Sequence, residues 1–115
     1  GLSGLVAPTD ERFVRTVDAV NARLRVGPVV YRYLEDDGLP GKEGGMLICA
    51  GWLAEALHRV GRAGEARELL EGMVGLLGPT LMAPEQYDPR HRCTLGNTPQ
   101  AYSHLAIINA AVALS

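Results

Sequence analysis

The chain has 115 residues, with eleven Lys and Arg against thirteen Asp and Glu and a formal charge of −2 at pH 7. At 47% hydrophobic and 21% charged it has the composition of a globular domain, which excludes a disordered segment and leaves no basic excess to neutralise nucleic-acid phosphates. A chain of this size buries roughly two-thirds of its unfolded surface, so residues 1–115 are expected to form one domain.

The longest apolar run, Met46 to Leu57, contains Glu55 and falls short of the ~20 residues that a bilayer helix needs, so no membrane partner is expected. Gly1 to Ala7 lacks the basic region and apolar core of a secretory signal. Cys49 and Cys93 are too few for a disulfide framework, which suits a reduced, cytoplasmic chain. A first residue of Gly rather than Met points to further residues upstream.

Four segments carry helical periodicity. The first, residues 9–25, opens on Pro8-Thr9-Asp10-Glu11, a capping residue followed by acids suited to the positive end of a helix. Phe13, Val17, Val20 and Leu24 form its apolar stripe, and Gly27 lies beyond its end. The stretch 26–45 follows, with the β-branched run Val29-Val30-Tyr31 and then the glycine-rich segment Asp36 to Gly45. The second helix, residues 45–60, is apolar nearly all round, the pattern of a helix covered on both sides, and Gly61 ends it.

The third helix, 64–77, is amphipathic, with Ala66, Leu69, Leu70, Met73, Val74 and Leu77 inside and Glu65, Arg67, Glu68 and Glu71 outside. The stretch 78–96 contains the proline-bracketed Pro84-Glu85-Gln86-Tyr87-Asp88-Pro89. The last helix, 98–114, is expected to begin at Asn97 with Pro99 in its first turn and to bury Ala101, Leu105, Ile108 and Val112. Long stretches without regular structure are uncommon in compact domains and are often functional. Each of these two precedes a helix, so both can lie on one end of a helical array. The fold class is therefore all-α, with any chemistry in the two stretches.

Glu85 is the most informative residue. In a loop stiffened by prolines it is either a solvated acid or a carboxylate aimed to take a proton from water. Arg32, between Tyr31 and Tyr33, either grips hydroxyl oxygens with its fork of donors or pairs with Glu35 or Asp36. Glu43, among glycines, marks either a site of close backbone approach or a first-turn acid of the next helix. The glycines at 38, 41, 44 and 45 do not follow a phosphate-cradling pattern. His91, Cys93 and His104 match no zinc-ligand spacing, so neither metal nor cofactor is expected. The segment from Trp52 to Leu70 also has the look of one tetratricopeptide helix pair. A non-catalytic repeat scaffold is thus the alternative, although no second copy occurs.

Two sets of motifs resemble the bacterial branch of glycoside hydrolase family 15. One comprises Arg32-Tyr33, Asp37-Gly38-Leu39-Pro40-Gly41, Glu43-Gly44-Gly45-Met46-Leu47, Trp52-Leu53, Glu55-Ala56-Leu57 and Gly61-Arg62. The other comprises Glu85-Gln86-Tyr87-Asp88-Pro89 and the run Leu95 to His104. The resemblance covers residues 9–114. It implies four helices of a six-over-six (α/α) toroid and an inverting hydrolase of an α-glucoside such as trehalose, maltose or an α-glucan end.

On that resemblance Glu85 matches the family's general base and Arg32 its substrate-binding arginine. Glu43, Gln100 and His104 fall in substrate-binding motifs. Thr98 and Met46 stand where the family usually has Phe. No motif for the general acid is present, so the chain is expected to be the carboxy-terminal portion of a longer enzyme and to be inactive by itself. Apolar helix faces left uncovered are expected to draw it into a homo-oligomer.

Overall fold

The computed structural model describes residues 1–115 and contains four helices and five short strands. In chain order these are α1 (Glu11–Arg23), β1 (Arg25–Val26), β2 (Val29–Val30), β3 (Gly45–Met46), α2 (Leu47–Arg59), α3 (Ala63–Gly75), β4 (Gln86–Asp88), β5 (Cys93–Leu95) and α4 (Ala101–Ala113).

Asp10 caps α1, its carboxylate accepting the Arg12 backbone N–H at 2.9 Å and two bonds from the Arg12 guanidinium. That guanidinium, more than the backbone bond, holds the Asp10 carboxyl below its ordinary value. The expected stripe lies inward: Val17 is buried, and Phe13, Val20 and Leu24 pack against the core from its edge.

Helix α2 is the centre of the molecule, packed by α3 and α4 and touched by α1 and β2. Its Leu47, Ala50, Leu53, Ala54 and Leu57 are buried, and each leucine removed from water contributes ~1.5–3 kcal/mol. It ends in a glycine-dependent cap: Gly61, at φ +85°, donates to the His58 carbonyl at 3.0 Å, and Arg62 donates to the Leu57 carbonyl at 2.8 Å. Arg62 then pairs with Glu65 at 2.6 Å and Asp18 at 2.7 Å, linking α3 to α1.

The all-α expectation is corrected by an antiparallel sheet in the order β1-β2-β3-β4-β5. Both stretches expected to lack regular structure contribute to it. Val29 and Val30 turn back on Val26 and Arg25 through Gly27-Pro28, with Gly27 at φ +58° where a two-residue hairpin turn needs a positive angle. Strand β3 pairs with β2 on one side and β4 on the other. The sheet thereby joins the two stretches edge to edge at the start of α2.

Helix α4 needs a second correction. It begins at Ala101, not at Asn97, and its N-cap is Gln100, whose side chain accepts the Tyr102 backbone N–H. Thr98–Pro99 is a cis peptide bond outside the helix. The buried face is also the opposite one: Ser103, Ala106 and Ala110 face inward, while Leu105, Ile108 and Val112 are 53%, 55% and 70% exposed. The reason is steric. A Cβ on Gly51 would lie 2.6 Å from the Ala106 Cβ, so α2 and α4 approach through small residues and leave no room for larger ones.

Candidate active site

Glu85 leads into β4 and is fixed along its backbone. Its N–H donates to the Asn97 carbonyl at 2.8 Å, and its carbonyl accepts the Leu47 N–H, at the start of α2, at 3.2 Å. The carboxylate is held at one oxygen: Oε2 accepts the Asn97 backbone N–H at 3.0 Å and the Asn97 Nδ2 amide at 3.2 Å, and Oε1 bonds to no protein group. Gly96, at φ +71°, makes room, since a Cβ there would stand 2.6 Å from Oε2.

This bracket comes from the β4–β5 hairpin. Asp88 accepts the Arg90 backbone N–H at 2.8 Å and bonds the His91 ring at 2.5 Å, which shapes the turn; the His91 bond leads in keeping the Asp88 carboxyl below its ordinary range. The register Gln86↔Leu95 then brings Asn97 beside Glu85. Sequence reasoning missed Asn97 by treating it as a helix start; counting back across a hairpin centred on Pro89 to Arg92 pairs Glu85 with Gly96 and leaves Asn97 as its diagonal neighbour.

The glycines before α2 bring the other stretch to the same edge. A Cβ on Gly44 would lie 2.6 Å from the Tyr87 carbonyl oxygen, and the Gly44 N–H donates to Gln86 Oε1 at 2.9 Å. Glu43 is therefore not a first-turn acid, because α2 begins at Leu47 and Glu43 lies in the loop before β3.

Arg32 pairs with neither Glu35 nor Asp36. Its Nε donates to Glu43 Oε2 at 2.9 Å, its Nη2 to Glu43 Oε1, and its guanidinium carbon lies 4.9 Å from the Tyr33 ring centre. The Glu43 bonds, ahead of all else, push the Arg32 guanidinium further up, so it stays charged. Its Nη1 makes no hydrogen bond to protein. Tyr33 donates to Asp37 at 2.5 Å, and that bond is the main cause of a raised Tyr33 phenol and a lowered Asp37 carboxyl.

Gln100 is the N-cap of α4 and His104 lies in its first turn. The Gln100 Oε1 caps the helix, which leaves its amide nitrogen without a protein partner. His104 is committed at both ring nitrogens: Nδ1 to the Gln100 carbonyl at 2.9 Å and Nε2 to the Ala83 N–H at 3.2 Å. A groove of about 340 Å³ runs from Asp37, Gly41 and Glu43 to Gln86 and Gly96, the neighbours of Glu85. Glu85 itself lines a separate space of about 60 Å³ with Met46, Gln100, Tyr102 and Ser103. The structure thus brings Arg32 to Glu43, and Glu85 to Gln100, as two separate pairs. Chemically, it offers one free carboxylate oxygen as proton acceptor, with the uncommitted Gln100 amide lining the same space, and a second uncommitted donor at Arg32 Nη1.

The family model for glycosyl hydrolases family 15 matches residues 2–112, and the chain belongs to that family. It is similar to the trehalase of Mycobacterium tuberculosis, 41% identical over 114 residues that make up 96% of this chain and 17% of that protein. The trehalase of Thermoplasma volcanium is 38% identical over 109 residues, covering 94% of this chain and 18% of that protein. The solved structure of a glycosidase variant superposes with a TM-score of 0.82 at 25% identity, over 96% of this chain and 32% of that one. The chain therefore spans less than a fifth of the length of these trehalases.

Proposed function

We propose that this chain is the carboxy-terminal part of a longer (α/α)-toroid enzyme that hydrolyses trehalose with inversion, and that Glu85 is its general base. The observation that carries this reading is the one-sided grip on the Glu85 carboxylate, two donors on Oε2 and none on Oε1. A carboxylate so held keeps its direction while one oxygen stays open to water. Family membership and the trehalases among its relatives support the substrate.

In this mechanism Glu85 Oε1 takes a proton from a water molecule as the water oxygen attacks one anomeric carbon of the sugar. The glycosidic C–O bond breaks, and a general acid from outside this chain protonates the leaving oxygen. The Arg32 Nη1 group and the Gln100 amide donate to sugar hydroxyls. Glu43 keeps the guanidinium in place and adds an acceptor. Without the acid, the chain alone has negligible activity. The apolar stripe of Leu105, Ile108 and Val112 meets the remainder of the toroid, and in the isolated chain that stripe drives self-association.

The test is the stereochemistry of hydrolysis by the full-length enzyme, followed by proton NMR before mutarotation. Inversion at one of the two α-linked centres releases one β-glucose and one α-glucose per trehalose. Release of α-glucose alone, or no action on trehalose, overturns the proposal.

A further inference from the structure

We infer that His104 is a positioning residue that sets the direction of Glu85 through the Ala83 peptide; this rests on the reading of Glu85 as general base. Three hydrogen bonds form a closed loop. The Gln100 N–H donates to the Ala83 carbonyl at 2.9 Å, the Ala83 N–H donates to His104 Nε2 at 3.2 Å, and His104 Nδ1 lies 2.9 Å from the Gln100 carbonyl. Because Nε2 accepts, the hydrogen-bond network assigns the ring proton to Nδ1, which donates to Gln100. The imidazole is thus used entirely on backbone groups and has no nitrogen to offer a sugar.

What the ring fixes is the segment entering Glu85. Ala83 and Pro84 are both fully buried, so water cannot take over the Ala83 N–H if the imidazole is lost. Pro84 has a locked φ and no N–H, so few soft torsions separate the Ala83 peptide from the Glu85 backbone. On the far side, Asn97 and Leu47 already hold Glu85. Beside the Gln100 N–H bond to the Ala83 carbonyl, His104 supplies the side-chain anchor from α4, two residues before the carboxylate and one turn into the helix. A side chain that merely stabilised α4 would need the Nδ1 bond to Gln100, not the Nε2 bond to Ala83.

That distinction gives the test, made in the full-length enzyme with trehalose. His104→Gln places an amide oxygen near the Nε2 position and can still accept from Ala83. His104→Asn keeps a donor near the Nδ1 position but is too short to reach Ala83. Displacement of a catalytic group by about 1 Å costs roughly 100-fold in rate, so His104→Asn is expected to lose on the order of that in kcat with KM within about threefold, whereas His104→Gln recovers at least tenfold of the loss.

A rise in KM at unchanged kcat makes His104 a substrate contact and overturns the inference. Equal losses in the two variants overturn it too, because the Ala83 bond would then be irrelevant. Glu85→Gln serves as the control. If it abolishes turnover while His104→Asn is silent, His104 loses its role and Glu85 keeps its own; if Glu85→Gln is itself silent, the base assignment fails.

Discussion

Substituting Gly44 by alanine tests whether the β3–β4 junction aligns the two halves of the site. The new Cβ would stand 2.6 Å from the Tyr87 carbonyl oxygen and 2.8 Å from its carbonyl carbon. Ordinary contact begins near 3.5 Å, so one strand must withdraw by about 0.9 Å. Both atoms are backbone, and no rotamer change relieves them. The pairs Gly45↔Tyr87 and Met46↔Gln86 would open, and with them the Leu47 N–H bond to the Glu85 carbonyl.

Overpacking of this kind costs about 1–3 kcal/mol of stability, and a shift near 1 Å at a catalytic group costs about 100-fold in rate. Urea denaturation and trehalose hydrolysis by the full-length enzyme measure both quantities. A Gly44→Ala enzyme of normal stability and normal kcat would refute the claim that this junction positions Glu85.

Gly64, in the first turn of α3, is the counter-example, since a Cβ there meets nothing within 4 Å and its φ is not positive. Gly64→Ala should stabilise the protein by about 0.5–1 kcal/mol through the entropy of the unfolded chain, read as a higher urea midpoint at unchanged activity. The Tyr33–Asp37 bond makes a pH prediction. A lowered Asp37 carboxyl contributes order to this loop above its ordinary 3.8, and that contribution is lost as the pH falls through the lowered value. Tyr33→Phe should therefore bring Asp37 back up toward 3.8 in an NMR titration, and Asp37→Asn should bring the Tyr33 phenol down toward 10.0 in an absorbance titration. An Asp37 that titrates identically with and without the Tyr33 hydroxyl contradicts the assignment.

The helices are legible in the sequence because their signals are local. The acids Asp10 and Glu11 mark the start of α1, Gly61 ends α2, and the apolar spacing of Val17, Leu57, Leu69 and Met73 predicts their burial. The sheet is not, because each strand is two or three residues long and draws its stability from partners far away in sequence. Helix α4 departs from expectation on a different principle. Size and hydrophobicity put Leu105, Ile108 and Val112 inward, whereas close approach to Gly51 selects Ala106, on the face it shares with the buried Ala110, and leaves the larger residues outside. In the site, the family resemblance draws attention to Glu85 and Arg32, but the partners that hold them are tertiary. Asn97 reaches Glu85 across a hairpin, Glu43 meets Arg32 across eleven residues, and His104 spends both ring nitrogens on backbone.

Proton removal by one carboxylate is the step on which the proposed chemistry depends. Single-turnover hydrolysis of trehalose by full-length Glu85→Gln enzyme tests it most directly, because the amide preserves size and the Asn97 contact but cannot accept the proton of water. The expected result is a fall of at least about 1,000-fold in the chemical step, of the order that general-base catalysis supplies, with trehalose affinity little changed. A chemical step within about tenfold of the unsubstituted enzyme, well short of that contribution, would contradict it.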